Sequence, residues 1–142
     1  MPSSPPAFSL ILSQQRDPDR AHLCERCGAP ATASAGQTVV GDRVAWSLEI
    51  HCAACGDAEV QCGWDETPAH LRELLPLVTL RADAEACRPF RTHLLAVFRR
   101  GGATIAEAVA AYQQLTTDGI VGTAAEMELL KRRLDNGRKP AG

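Results

Sequence analysis

The sequence predicts an α+β fold, a three-stranded antiparallel sheet tied at one end by a metal ion and packed with a small bundle of about four helices. Three observations predict it. Two Cys-x-x-Cys-Gly steps, Cys24 to Gly28 and Cys52 to Gly56, place four thiols where one cation can take all of them. Apolar residues alternate along 43–51 and 58–64 with the period of a strand. From residue 67 to residue 137, helix openings and capping patterns follow one another.

The elements are taken in chain order. Residues 1–21 read as an N-terminal tail: Met-Pro-Ser-Ser-Pro-Pro has the composition of a disordered segment. Ala7 to Ser13 is a short strand laid against the metal module and broken by Asp17-Pro18-Asp19. Residues 22–65 form the module itself. Gln37 to Val40 and Arg43 to His51 are strands joined by the two-residue turn Gly41-Asp42. Val44, Trp46, Leu48 and Ile50 share one face of the second strand. Ala58, Val60, Cys62 and Trp64 continue the apolar alternation, which makes Cys62 a small core residue.

Residues 66–137 read as a helical region that covers that face. Thr67 caps a helix with Pro68 in its first turn and Leu71, Leu74 and Leu75 on its apolar side, ended by Pro76. A longer helix begins near Asp83 or Pro89 and runs to Arg100, with Phe90, Leu94, Val97 and Phe98 on one stripe; Gly101-Gly102 stops it. Thr104 with Glu107, and Thr123 with Glu126, are capping boxes for two more helices. These bury Val109, Tyr112 and Leu115, then Met127, Leu130 and Leu134. Gly119 to Gly122 reads as the turn between them, and residues 138–142 as a loose tail.

A tight Cys-x-x-Cys turn brings both sulfurs to one side, and the following Gly accepts the backbone conformation that the turn requires. Two such steps around a hairpin resemble the zinc-ribbon proteins, in which paired knuckles at one end of a small sheet hold a single structural zinc. The resemblance covers residues 22–65 and implies one Zn²⁺ on Cys24, Cys27, Cys52 and Cys55. Rubredoxins hold iron in the same four-sulfur arrangement, and ligand type does not separate the two metals. This chain lacks the aromatic surroundings that likeness implies, so zinc is the expected metal. His22 and His51 adjoin the knuckles as candidates for the surroundings of the metal; His70 and His93 stand singly on helices, and Cys87 has no partner at ligand spacing. Residues 94–137 also look somewhat like the C-terminal domain of the ribosomal stalk protein. That domain has strands not expected here and characteristic lysines that are missing, so the likeness does not enter the functional reading.

Charge and motif content narrow the function. The chain carries a formal net charge of −2. Residues 22–65 hold two basic and six acidic side chains, and a cation on four thiolates makes that segment more negative still. Nucleic-acid binding needs clustered Lys and Arg; Arg99-Arg100 and Lys131-Arg132-Arg133 are the available groups, and both lie where a helix dipole explains them. No phosphate-binding, dinucleotide or nucleophile motif is present, so no enzyme is expected. The longest N-terminal apolar run, Leu10 to Leu12, is too short for a signal peptide, and a cytoplasmic chain of bacterial, Ala- and Arg-rich composition is expected. The reading that follows is a non-catalytic protein-binding module, an adaptor or an immunity-type inhibitor of a basic partner such as a toxin. A regulatory nucleic-acid-binding protein and an iron electron carrier are the alternatives.

Overall fold

The computed structural model describes residues 7–14 and 21–138. The expectations for residues 1–6, for the Asp17-Pro18-Asp19 break and for residues 139–142 lie outside them. The chain divides into two compact units. Of the described residues, one comprises 14, 21–77 and 123–126; the other comprises 7–13, 78–122 and 127–138.

The first unit is built on a four-stranded antiparallel sheet, β2 (Ala21–Leu23), β3 (Pro30–Val40), β4 (Arg43–His51) and β5 (Ala58–Trp64), adjacent in that order. β3 and β4 pair without interruption from Thr32↔His51 to Val40↔Arg43, so their hairpin is long and free of bulges. Gly41, at φ +63°, takes the first turn position, where only a residue without a Cβ is comfortable. A second glycine is needed on β5. A Cβ on Gly63 would lie 2.5 Å from Cζ2 of Trp46, so the indole rests directly on the neighbouring backbone. Its Nε1 is buried there with no hydrogen-bond partner among the described residues.

One face of this sheet packs Ala33 and Leu48 against Leu71, Leu74 and Leu75, with Ala35, Trp46 and Ile50 at the margin. The three leucines come from α1 (Ala69–Arg72) and the turn after it. Thr67 was expected to cap α1 and does not; its buried hydroxyl instead accepts a 2.6 Å hydrogen bond from Nε2 of Gln37 on β3.

The second unit has its own sheet, with β6 (Leu77–Ala82) between β1 (Phe8–Gln14) and β7 (Ile120–Thr123). Around it lie α2 (Ala84–Cys87), a short 3₁₀ turn over 88–90, α3 (Arg91–Arg99), α4 (Ile105–Leu115) and α5 (Ala124–Arg138). Asp83 caps α2 by accepting from the Ala86 amide. Thr104 and Glu107 form the expected reciprocal cap of α4, and Thr123 with Glu126 does the same for α5. Phe8, Leu80, Leu94, Leu115 and Leu134 are central to the core.

The expected architecture is therefore corrected. The protein is α+β, but the described residues form two sheets, of four and three strands, where one three-stranded ribbon was expected. The helices after residue 82 were expected to cover the ribbon, yet their apolar stripes pack on β1 and β6. The strand near Ala7 to Ser13 forms, but it pairs with β6 and not with the metal module. The segment Gly119 to Gly122 is largely strand β7 and not a turn. A further correction concerns β5. Its register sets Val60 opposite Glu49 and Cys62 opposite Ser47, so its apolar residues share the outer face of the sheet. Val60 is 68% exposed, Trp64 is 50% exposed, and Cys62 is an exposed residue instead of a core one.

Candidate metal centre

The four-stranded sheet carries both Cys-x-x-Cys steps at one end. Residues 24–29 connect β2 to β3 and residues 52–57 connect β4 to β5, so each step is the loop of its own hairpin. The two loops are built alike. The amide of Cys24 donates to the Ala29 carbonyl and that of Cys52 to the Asp57 carbonyl, both at 2.8 Å. The Gly28 and Gly56 amides donate to the Cys24 and Cys52 carbonyls, again at 2.8 Å. Gly28 and Gly56 sit at φ +75° and +76°, the left-handed conformation that a side chain would strain. Because Thr32 pairs with His51, the β3–β4 hairpin brings these loops side by side although many residues separate them in sequence.

The structure thereby gathers the sulfurs of Cys24, Cys27, Cys52 and Cys55 to within 4.8 Å of one another. Sγ of Cys24 lies 3.8 Å from that of Cys55, and Sγ of Cys27 lies 3.5 Å from that of Cys52. A tetrahedron with metal–sulfur bonds of about 2.3 Å has edges of about 3.8 Å, so these separations are those of a four-sulfur site. No disulfide links any of the four. Cys24 and Cys52 are buried with Ala31, flanked by Ala29 and Ile50, while Cys27 and Cys55 face outward.

Backbone amides are aimed at the sulfurs. The Ala29 N–H serves Cys27, the Asp57 N–H serves Cys55 at the equivalent place in the second loop, and the Cys55 and Ala54 N–H groups serve Cys52. The hydrogen bond from the Cys55 amide is the main reason that the Cys52 thiol is lowered to about 7. Cys55 is pushed up to about 12. The Asp57 amide opposes that rise, but desolvation and the adjoining sulfurs outweigh it. Cys27 is likewise raised, its Ala29 amide being overcome by the hydrogen bond with Cys52 and by desolvation. Without a cation, one sulfur ionises readily and the next ones resist, because negative charges this close repel. A bound cation removes that conflict, and a divalent ion on four thiolates leaves a net charge of −2.

Among the described residues, these four cysteines are the set arranged to hold a metal ion. His22 and His51 adjoin the loops but are not part of it; both are exposed, as are His70 on α1 and His93 on α3. Cys87 is fully buried at the end of α2. Four cysteine ligands would complete a tetrahedral shell around one ion. Sequence reasoning missed strand β2 and the amide donors. The spacing of Gly28 and Gly56 was the available signal for the loop conformation that orients those donors. Arg26 of the first loop pairs with Asp57 of the second at 3.8 Å, an exposed contact worth at most about 1 kcal/mol.

No family model, curated protein or solved structure matches the chain. The four-sulfur cluster identifies a metal-binding module. None of the helices among the described residues is long and apolar enough to cross a membrane.

Proposed function

We propose that this chain is a non-catalytic, zinc-stabilised module that binds a partner protein through a basic surface of that partner, as an adaptor or as an immunity-type inhibitor of a basic toxin. The observation that carries the reading is the closed four-sulfur site set in an acidic sheet. Zinc is favoured over iron because the side chains packed around the buried sulfurs are Ala29, Ala31 and Ile50, with no aromatic shell. The metal would supply folding free energy and a rigid platform, and the excess of carboxylates on the same sheet would steer a cationic partner and penalise an anionic one.

Elemental analysis of untagged protein is expected to give about one zinc per chain, since the four ligands form a single site. Co-purification from native lysate is expected to recover a protein with a basic surface. Glu49 and Glu59 lie on opposite faces of the sheet, since Glu59 pairs with Ile50 and Glu49 with Val60. Reversing both charges together is expected to release the partner. Partner binding unchanged by the double reversal, or retention of acidic proteins only, refutes the reading.

A further inference from the structure

The inner face of the four-stranded sheet is incompletely covered. Beside α1 lies an open cavity of about 400 Å³ with a floor of Ala33, Leu48, Ile50 and Leu74, and with His22, His70 and Glu73 along its edge. A second cavity, about 270 Å³, continues from it, sharing His22, Leu23 and Ile50, and ends beside the knuckles at Glu25, Asp57 and Glu59. Together they form one groove along β2, within the size range of ordinary ligand sites. Leu23, on the wall common to both cavities, is 67% exposed.

Charge is distributed along this groove in a definite way. Its middle is formed by Leu23 and Ile50, with His22 at the rim of both cavities. One end carries Glu73 as its only carboxylate, with His70 beside it; the other carries Glu25, Asp57 and Glu59 against a single guanidinium, Arg26, which already pairs with Asp57. A divalent ion on the four cysteines, if bound as thiolates, would add further negative charge at that second end. An apolar trough with acid at both ends is complementary to a bulky apolar side chain flanked on each side by cations, and it penalises an acidic or wholly polar segment.

We infer that the groove is the docking site for a short segment of a partner protein in which a large aliphatic or aromatic residue stands between Lys or Arg residues. This rests on the protein-binding reading above and adds to it the site and the chemistry of the occupant. The apolar side chain fills the cavity over Ala33 and Leu48, and the flanking cations meet Glu73 on one side and Glu59 with Glu25 on the other.

The test uses the zinc-loaded full chain and a fluorescein-labelled peptide, Arg-Arg-Leu-Leu-Arg-Arg, read by anisotropy. Two control peptides replace either the leucines by Ser or the arginines by Glu. The parent peptide is expected to bind at least about tenfold more tightly than either control, because both the apolar contact and the charge match are required. Leu23→Ser and Glu73→Lys should each weaken it by about tenfold, and Glu49→Lys, on the outer face, should change it less than about twofold. Zinc content and tryptophan emission check that each variant is folded. Equal binding of the serine peptide, no binding of the parent peptide, or indifference to both groove substitutions overturns the proposal. If a native partner is released by Glu49→Lys but not by the groove variants, the protein-binding reading stands and the groove assignment fails. If the chain retains no basic protein at all, the protein-binding reading fails first.

Discussion

Removing one outward-facing sulfur separates the contribution of the metal from that of packing. Cys55 is exposed, so Cys55→Ser leaves no cavity, yet it takes away one of four ligands. The apolar core of the metal-bearing unit rests on four leucines, Leu48, Leu71, Leu74 and Leu75. At about 1.5–3 kcal/mol for each buried side chain, they contribute about 6–12 kcal/mol before chain entropy is counted. If the site holds structural zinc as proposed, such a site supplies about 10–16 kcal/mol at neutral pH, as much as that whole core, so its loss should unfold the unit. Among the described residues the other unit buries ten large side chains, including Phe8, Leu80, Leu94, Leu115 and Leu134, and holds none of the four clustered cysteines. It should survive.

The assay follows from where the chromophores lie. Both tryptophans, Trp46 and Trp64, belong to the metal-bearing unit, and α2 to α4 with most of α5 belong to the other. In Cys55→Ser the tryptophan emission should shift to the red while most of the helical circular dichroism at 222 nm persists. Cys62→Ser, which removes an exposed sulfur outside the cluster, should leave both signals and the zinc content unchanged. Native emission in a Cys55→Ser protein shown to hold no metal would refute the reasoning, as would loss of the helical signal in step with the tryptophan shift.

Acid should release the metal, because Cys27 and Cys55 hold their protons above their ordinary value and protons compete with the cation for the same sulfurs. Competition with a chromophoric chelator should show affinity falling by at least about tenfold from pH 7.5 to pH 6.5, the effect of one proton displaced per metal bound. Gly56→Ala places a side chain at φ +76° and should cost about 1–2 kcal/mol in denaturant unfolding of the zinc-loaded protein. Glu126→Gln should cost about 1 kcal/mol at pH 7, since the carboxylate caps Thr123 and pairs with Arg72. Desolvation resists ionisation of Glu126, but the Arg72 and Thr123 hydrogen bonds outweigh it and hold the carboxyl below 4.5. Its contribution is therefore present above that value and lost as pH falls through the lower folded value, so the wild-type and Glu126→Gln stability curves should converge in acid.

The parts legible in the sequence are those whose signal is local. The Cys-x-x-Cys-Gly steps, the Gly41-Asp42 hairpin, the alternation along β4 and both Thr-to-Glu capping boxes are each contained in a few consecutive residues, and each is present in the structure. Alternation also showed that β5 has two faces, but only pairing decides which one is covered. The match of Val60 with Glu49 turned the apolar side outward. β2 is three residues long and β7 four, too short for any period to emerge, and Gly122 disguised the latter as a turn. β6 alternates Val78, Leu80 and Ala82, but it follows Pro76 so closely that it was absorbed into a helical region. The destination of the helical stripes was beyond reach for the same reason: a stripe shows that a helix is covered and does not name its cover.

The long β3–β4 hairpin has a consequence for how the chain can be altered. The distance between the two cysteine pairs is governed by which residues pair near the knuckles, and the far tip at Gly41-Asp42 takes no part in it. Extra residues grafted at that tip therefore lengthen the hairpin without disturbing the sulfurs, and an epitope or a fluorophore can be carried there. Dropping a single residue from the middle of β3 has the opposite effect, since every side chain beyond the gap changes sides and the first pair of thiols is carried out of reach of the second.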